Sequence, residues 1–434
     1  MKKLFLLLLL GFTLVGFSQT TEIPDPNFEQ VLIDLGYDTA PINGSVLTAN
    51  ISGVTSLSVS SNNIADLTGI EGFTALTELV CFNNELTSLD VSANPALELL
   101  NCKSNQLTSL DFSNNPALTK LYCYENQLTS LDVSNNPALE ILNSYNNQLT
   151  SLDVSSSNAL KFLSCENNQL TSLDVSNNTA LTEFYCFNNQ LTVLDVSNNP
   201  ALEFLNCRLN QLTSLDVSAN NALIEMDCGF NQLISLDVSN NTALTALYCG
   251  NNQLTSLDMS ANPALEFLNC KSNQLTSLDF SNNPALTVLF CGTNQLTSLD
   301  VRNGNNTNFS LFNSTSNPNL TCIFVDDTAY STANWTGIDP ASTFVNNEAE
   351  CEALSLGDNA FELDVSIYPN PTDNYLFIEG NKNPISISIY NLLGAEVISK
   401  SNTDKIDVSE LSNGVYIIKI SDGIDQTDRK FIKN

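Results

Sequence analysis

The chain has 434 residues, enough for two or three domains, with a formal net charge of −32 and no histidine. Residues 4–364 hold six basic side chains against thirty-eight acidic ones, a surface that repels nucleic-acid phosphates and anionic lipid headgroups and excludes nucleic acid as a partner. Without histidine the usual general base near neutral pH, the commonest metal ligand and the Ser-His-Asp and Cys-His constellations are all missing, so the expectation is a protein that is not an enzyme.

Lys2 and Lys3 precede the apolar run LFLLLLLGFTLVGF, which ends before Ser18. A run this short behind a positive front predicts a secretory signal peptide over 1–19, and no other segment is apolar enough to be a transmembrane span. An N-terminal cap is expected over 20–56. Within it, DPNFEQVLIDLG predicts one helix, capped by Asp25, with Pro26 in the first turn and Gly36 at the end. Phe28, Val31, Leu32 and Leu35 fall on one face of that helix.

A 21-residue period then takes over. Cysteines stand at 81, 102, 123, 165, 186, 207, 228, 249, 270 and 291, with Ser144 at the single gap. A typical unit is LEFLNCKSNQLTSLDFSNNPA, 265–285, and eleven units share the frame between looser ones at 57–73 and 309–325. In L-x-x-L-x-C the second Leu and the Cys are two apart, so both face inward from a strand. Asn recurs three residues after the grid position, from Asn84 to Asn294, where an inward amide can both donate to and accept from the buried turn backbone of stacked coils. The second half of the unit, L-T-S-L-D-V-S-x-N, repeats the same grammar. These residues resemble the bacterial leucine-rich-repeat class with a doubled 21-residue motif, covering 57–325. The resemblance implies a mainly β solenoid with parallel strands on both sides of each coil and little helix.

Off the cysteine grid, Cys322 and Cys351 flank the only Trp, Trp335. A disulfide between them is expected to pin a C-terminal cap over 326–351, as suits an exported protein, with Trp335 in its core. A linker is expected over 352–365. In 366–434, ISISI and VYIIKI alternate as half-buried strands do, which predicts a small Ig-like β-sandwich. The ordered motifs YPNP, IYNLLG, LSNGVYIIKI and the basic end with Lys430 and Lys433 resemble the type A C-terminal sorting domain of the Bacteroidetes type IX secretion system. That resemblance implies the outer-membrane secretion machinery as a partner, and a product released or attached to the outer surface.

Three columns of candidate chemistry remain. The grid cysteines project in parallel from strands ~4.8 Å apart, whereas a disulfide wants Cβ atoms ~3.8 Å apart, so they are expected to be free, buried thiols. Glu225 and Asp227 lie two apart on an outward face at roughly 7 Å, with nothing nearby expected to raise either pKa. Asp90, Asp111, Asp132, Asp153, Asp174, Asp195, Asp216, Asp237, Asp258, Asp279 and Asp300 share one outward position. Neighbours in that column repel by roughly 0.9 kcal/mol even in water. The expectation is raised carboxylate pKa values and stability that falls as pH rises. No cofactor is expected, the one alternative being Ca²⁺ on this column.

The two sheet faces differ in composition. The outward columns of the LTSLDVS side hold twenty Ser, eleven Asp, Val193 and Arg302, with no aromatic residue. Those of the L-x-x-L-x-C side hold eleven aromatics: Phe82, Tyr122, Tyr124, Tyr145, Phe162, Tyr185, Phe187, Phe204, Tyr248, Phe267 and Phe290. Strand propensity alone would place rings on both sides. These eleven are the expected ligand-binding residues of a secreted or cell-surface binding or adhesion protein that recognises an extracellular protein or glycan. The alternative is a structural surface-coat protein.

Overall fold

The computed structural model describes residues 19–357, 365–379, 386–421 and 426–434. The signal peptide expected over 1–19 lies outside them except for its last residue. So does much of the linker expected over 352–365, although its first residues continue a helix, Glu348–Gly357. The chain divides into two compact units, Met1–Asn346 and Asn347–Asn434.

In the first unit every coil contributes one three-residue strand. Thirteen of these stack in chain order into a single parallel sheet, from Ser56–Ser58 to Leu311–Asn313. The eleven regular units and the two looser ones supply one strand each. Register advances by one whole unit, so Leu100 pairs with Leu121 and Leu121 with Leu142. A slip of one residue would turn every leucine outward, so burial of the leucine column holds the register. Leu121 and Cys123 have no exposed surface.

The turn after each cysteine is held by the inward asparagine. Asn126 Nδ2 donates to the carbonyls of Cys123 and Cys102 at 3.1 Å, and its Oδ1 accepts from Leu107 N at 3.0 Å. The same three bonds recur at Asn105, Asn189 and Asn294. Each side chain thus closes its own turn and ties it to the coil before. A second ladder runs along the other half of the unit: Asn115 Nδ2 donates to Val91 O at 3.0 Å and Asn94 O at 2.8 Å. It is less complete, because Oδ1 of Asn94, Asn115 and seven equivalents is buried without a protein donor.

The cysteines are free and buried, and burial pushes their pKa up, to about 12 at Cys102, Cys207 and Cys291. Cys123 and Cys165 Sγ each donate to a carbonyl of the next coil at 3.6 Å. At the gap, Ser144 Oγ makes the same contact to Ser164 O at 3.3 Å. The hydroxyl replaces the thiol as a small buried donor. Cys322 and Cys351 are disulfide-bonded.

The opposite side is less regular than its repeat suggests. Ser277–Asp279 and Ser298–Asp300 join Cys322–Phe324 and Thr343–Val345 in a four-stranded sheet. Elsewhere, among the described residues, this side is linked by isolated bridges such as Asp90 to Asp111 and Asp132 to Asp153. The aspartates on this side share one local bond. Oδ1 of Asp90 accepts Ser92 N at 2.9 Å, and the same bond repeats from Asp111 to Asp279. The side chain turns back on the backbone immediately after the Asp, in the paired coils of Asp279 and Asp300 as in the unpaired ones.

That bond also reverses the electrostatic expectation. The serine two residues on, through its hydroxyl and N–H, holds Asp90, Asp111, Asp132, Asp153, Asp174, Asp195, Asp216, Asp237 and Asp258 below the usual carboxylate range. Repulsion between neighbours opposes this and is the smaller effect. The column was expected to be raised; local donors, absent from a point-charge argument, win at contact distance over screened charges one coil away.

Both ends are closed. Asp25 Oδ1 caps the helix Pro26–Asp34 through Asn27 N and Phe28 N, while its Oδ2 accepts from Ala65 N and Asp66 N of the first coil. Phe28, Val31 and Leu32 are buried, but Leu35 is 46% exposed, because the helix stops at Asp34 and Leu35 becomes its C-cap. At the other end Trp335 is buried, stacked on Phe312 at 4.4 Å and edge-on to Phe344 at 5.7 Å.

The second unit holds two antiparallel sheets. Ser366–Tyr368, Tyr375–Glu379 and Lys405–Asp407 form one. Glu396–Ser401, Ser386–Asn391, Gly414–Ser421 and Gln426–Lys433 form the other, in that spatial order. Leu376, Ile378, Ile387, Ile389, Ile418, Ile420 and Phe431 meet in one apolar core between them.

Denatured without reductant, the protein should titrate about ten free thiols, since only Cys322 and Cys351 are paired; a count near zero would contradict the in-register stack. The depressed aspartates should contribute stability above an unfolded pKa of ~3.9 and lose it as pH falls through the folded values. The melting temperature should therefore drop on acidification below about pH 4, and less steeply when Ser92, Ser113 and Ser134 are replaced by Ala. Thermal melts at pH 7 and pH 3 decide it, and a rise on acidification would restore the repulsion picture.

Candidate binding face

Three-residue strands present outward side chains before and after the inward Leu, and the residue after the cysteine continues the same face. All eleven aromatics are half-buried there, lying along the sheet rather than standing out from it. Tyr124 stacks on Tyr145 with centroids 4.2 Å apart. Phe162 meets Tyr185 at 5.7 Å, and Tyr248, Phe267 and Phe290 follow one another at 4.6 and 6.0 Å. Tyr122 is in register with Asn101 and Asn143 in its own column, so ring stacking joins Tyr124 to Tyr145. Burial, then the neighbouring Tyr124, pushes the Tyr145 phenol up to about 12, and burial does the same at Tyr185.

The face also carries charge that a count of rings overlooks. Lys103 sits over the rings of Phe82 and Tyr124 at 4.9 and 5.0 Å. Arg208 lies over Phe230 at 4.5 Å and 3.8 Å from Asp227. Asp227 was expected to stay an ordinary solvated carboxylate. It is half-buried, and burial raises its pKa despite Arg208 and the Gly229 N–H. Glycine at 229 and 250 opens a shallow pocket of about 80 Å³ bordered by Arg208, Asp227, Tyr248 and Lys271. A pocket of about 70 Å³ lies beside it, between Tyr185, Phe204 and Asp227.

Leu209 and Phe230 were missed entirely. They occupy the turn position two after the grid position, where every regular unit has φ between +51° and +57° and most carry Asn, Ser or Thr. A left-handed Leu or Phe is strained where Asn is not, and both are more than a third exposed. Their signal was available as two apolar residues in an otherwise polar column.

Among the described residues no group of three or more His, Cys, Asp or Glu is arranged to hold a metal ion, and no helix is long and apolar enough to cross a membrane.

Residues 366–434 match the family described as secretion system C-terminal sorting domain, and 263–304 match leucine rich repeats in two copies. The functional domain of InlJ from Listeria monocytogenes, described as including a cysteine ladder, is 27% identical with a TM-score of 0.56, over 96% of this chain and 99% of that one. The internalin InlF of Listeria monocytogenes gives 22% identity and a TM-score of 0.64, over 73% and 94%. YopM from Yersinia enterocolitica gives 23% and 0.50, over 68% and 64%. No curated protein sequence matches the chain. The period, the asparagine and cysteine ladders and these matches agree: the chain folds as a solenoid of leucine-rich repeats and carries, over 366–434, a secretion-system C-terminal sorting domain, which implies export for release or attachment at the cell surface.

Proposed function

We propose that this is an extracellular binding or adhesion protein that recognises a protein or glycan through the aromatic side of its thirteen-stranded sheet. The contrast between the two sides carries the reading. Both are built from the same kind of coil, yet eleven rings lie on one and none on the outward columns of the other in the eleven regular units, Phe324 of the C-terminal end alone continuing the Asp column. Half-buried rings prearranged along a rigid sheet offer apolar area at little cost in side-chain entropy, which suits both protein hot spots and sugar rings. The sorting domain supports the location, since it directs export of what precedes it.

Screening against a glycan array and a panel of extracellular proteins should return ligands whose binding is lost when Tyr124, Tyr145 and Phe187 are replaced by Ala. The loss should reach several kcal/mol, as at other aromatic hot spots. The melting temperature should fall only modestly, because the Tyr124–Tyr145 stack is worth about 0.5–1.5 kcal/mol. Alanine at Ser109, Ser130 and Ser151 should leave binding intact, and the opposite pattern would move the ligand to the Ser/Asp side. Deletion of 366–434 should leave a folded repeat unit in the periplasm of the native host, because the solenoid core does not include the tail. Undiminished secretion of the truncated chain, measured in the culture medium, would remove the sorting role.

A further inference from the structure

Glu166 is the outlier of the aromatic face. It holds the position after the cysteine, one coil from Tyr145 on one side and from Phe187 on the other, yet it is only 9% exposed. Its Oε2 accepts the Ser164 hydroxyl at 2.8 Å. Ser164 Oγ also lies 3.0 Å from Asn143 Oδ1, and a single hydroxyl proton serves one acceptor at a time. Among the described residues no ion pair reaches the carboxylate. The nearest cations in sequence are engaged elsewhere, Lys161 with Glu140 at 3.0 Å and Arg208 with Asp227 and the Phe230 ring.

A buried carboxylate without a counter-charge is costly, and aromatic faces, being negative at their centres, do nothing to neutralise it. Tyr145 and Tyr185 both feel its charge, and burial holds Glu166 itself above the usual carboxylate range. One class of group satisfies carboxylate and rings together: a cation carried on a flat or slender apolar stem.

Resting on the reading of this face as the binding surface, we propose that Glu166, flanked one coil away on either side by Tyr145 and Phe187, is the anchor for a lysine or arginine side chain presented by a partner protein. A neutral sugar can donate hydroxyls to the carboxylate but brings no counter-charge, so the feature favours a protein over a neutral glycan. The net charge of −32 steers a basic partner towards the molecule.

The probes are N-acetyl-arginine amide and N-acetyl-lysine amide, with N-acetyl-glutamine amide as the neutral control, titrated into the full chain and followed by saturation-transfer NMR. The two cationic probes should bind saturably and the control should not. Glu166→Gln should weaken them at least tenfold while raising the melting temperature without ligand, since it removes the uncompensated charge. Phe187→Leu, which removes a neighbouring ring and leaves the carboxylate in place, should weaken them severalfold. Equal binding by wild type and Glu166→Gln, or no saturable binding, overturns the proposal. A neutral-glycan ligand lost with the Tyr124, Tyr145 and Phe187 replacements but indifferent to Glu166→Gln would also overturn it, while keeping the face as a binding surface.

Discussion

The repeat unit depends on one hydrogen-bonding problem being solved once per coil. A chain that turns every ten or eleven residues buries turn amides that water cannot reach, and each would cost about 1–3 kcal/mol if left unpaired. The asparagine three residues after each grid position supplies two donors and an acceptor at that point, and two of its bonds cross to the preceding coil. Coils are thereby held in register through their turns as well as through their strands. Aspartate or leucine could not substitute, since one lacks the donor and the other both groups.

Once that register is set, each column of the repeat has one environment along the whole solenoid. A cysteine in the inward column becomes a buried thiol one strand spacing from the next, close enough to pack and too far apart to bridge without distortion. Ser144 keeps the donor and the size, so the column continues across the gap. The Asp column follows the same logic on the outside. Its carboxylates are repeated at strand spacing, yet from Asp90 to Asp279 each is occupied by the serine that follows it, and Asp300 by Arg302.

Freed from structural duty, the outward columns of the long sheet vary from coil to coil, and the departures carry the information. Rings dominate, but the positions that distinguish one stretch of the face from another are few: Glu166 buried on the ring face, the glycines at 229 and 250, and Leu209 and Phe230 in left-handed turns. A repeat makes such departures cheap to accommodate, because a side chain pointing to solvent touches only the coils on either side.

Period, inward pattern and caps were legible in the chain because each rests on spacing: 21 residues between cysteines, two between Leu and Cys, three from Cys to Asn, and Asp25 before Pro26. The sorting domain was legible as ordered motifs, and the aromatic face as a count along columns. Leu35 was misplaced because helical periodicity does not say where the helix stops. The Asp column was misread because charge spacing is visible in a sequence, whereas a serine N–H and hydroxyl aimed back at the carboxylate are not. The state of Glu166 and Asp227 was decided by tertiary structure alone. Both stand at positions that the coil points outward, and only their burial among the neighbouring coils takes their carboxylates out of water.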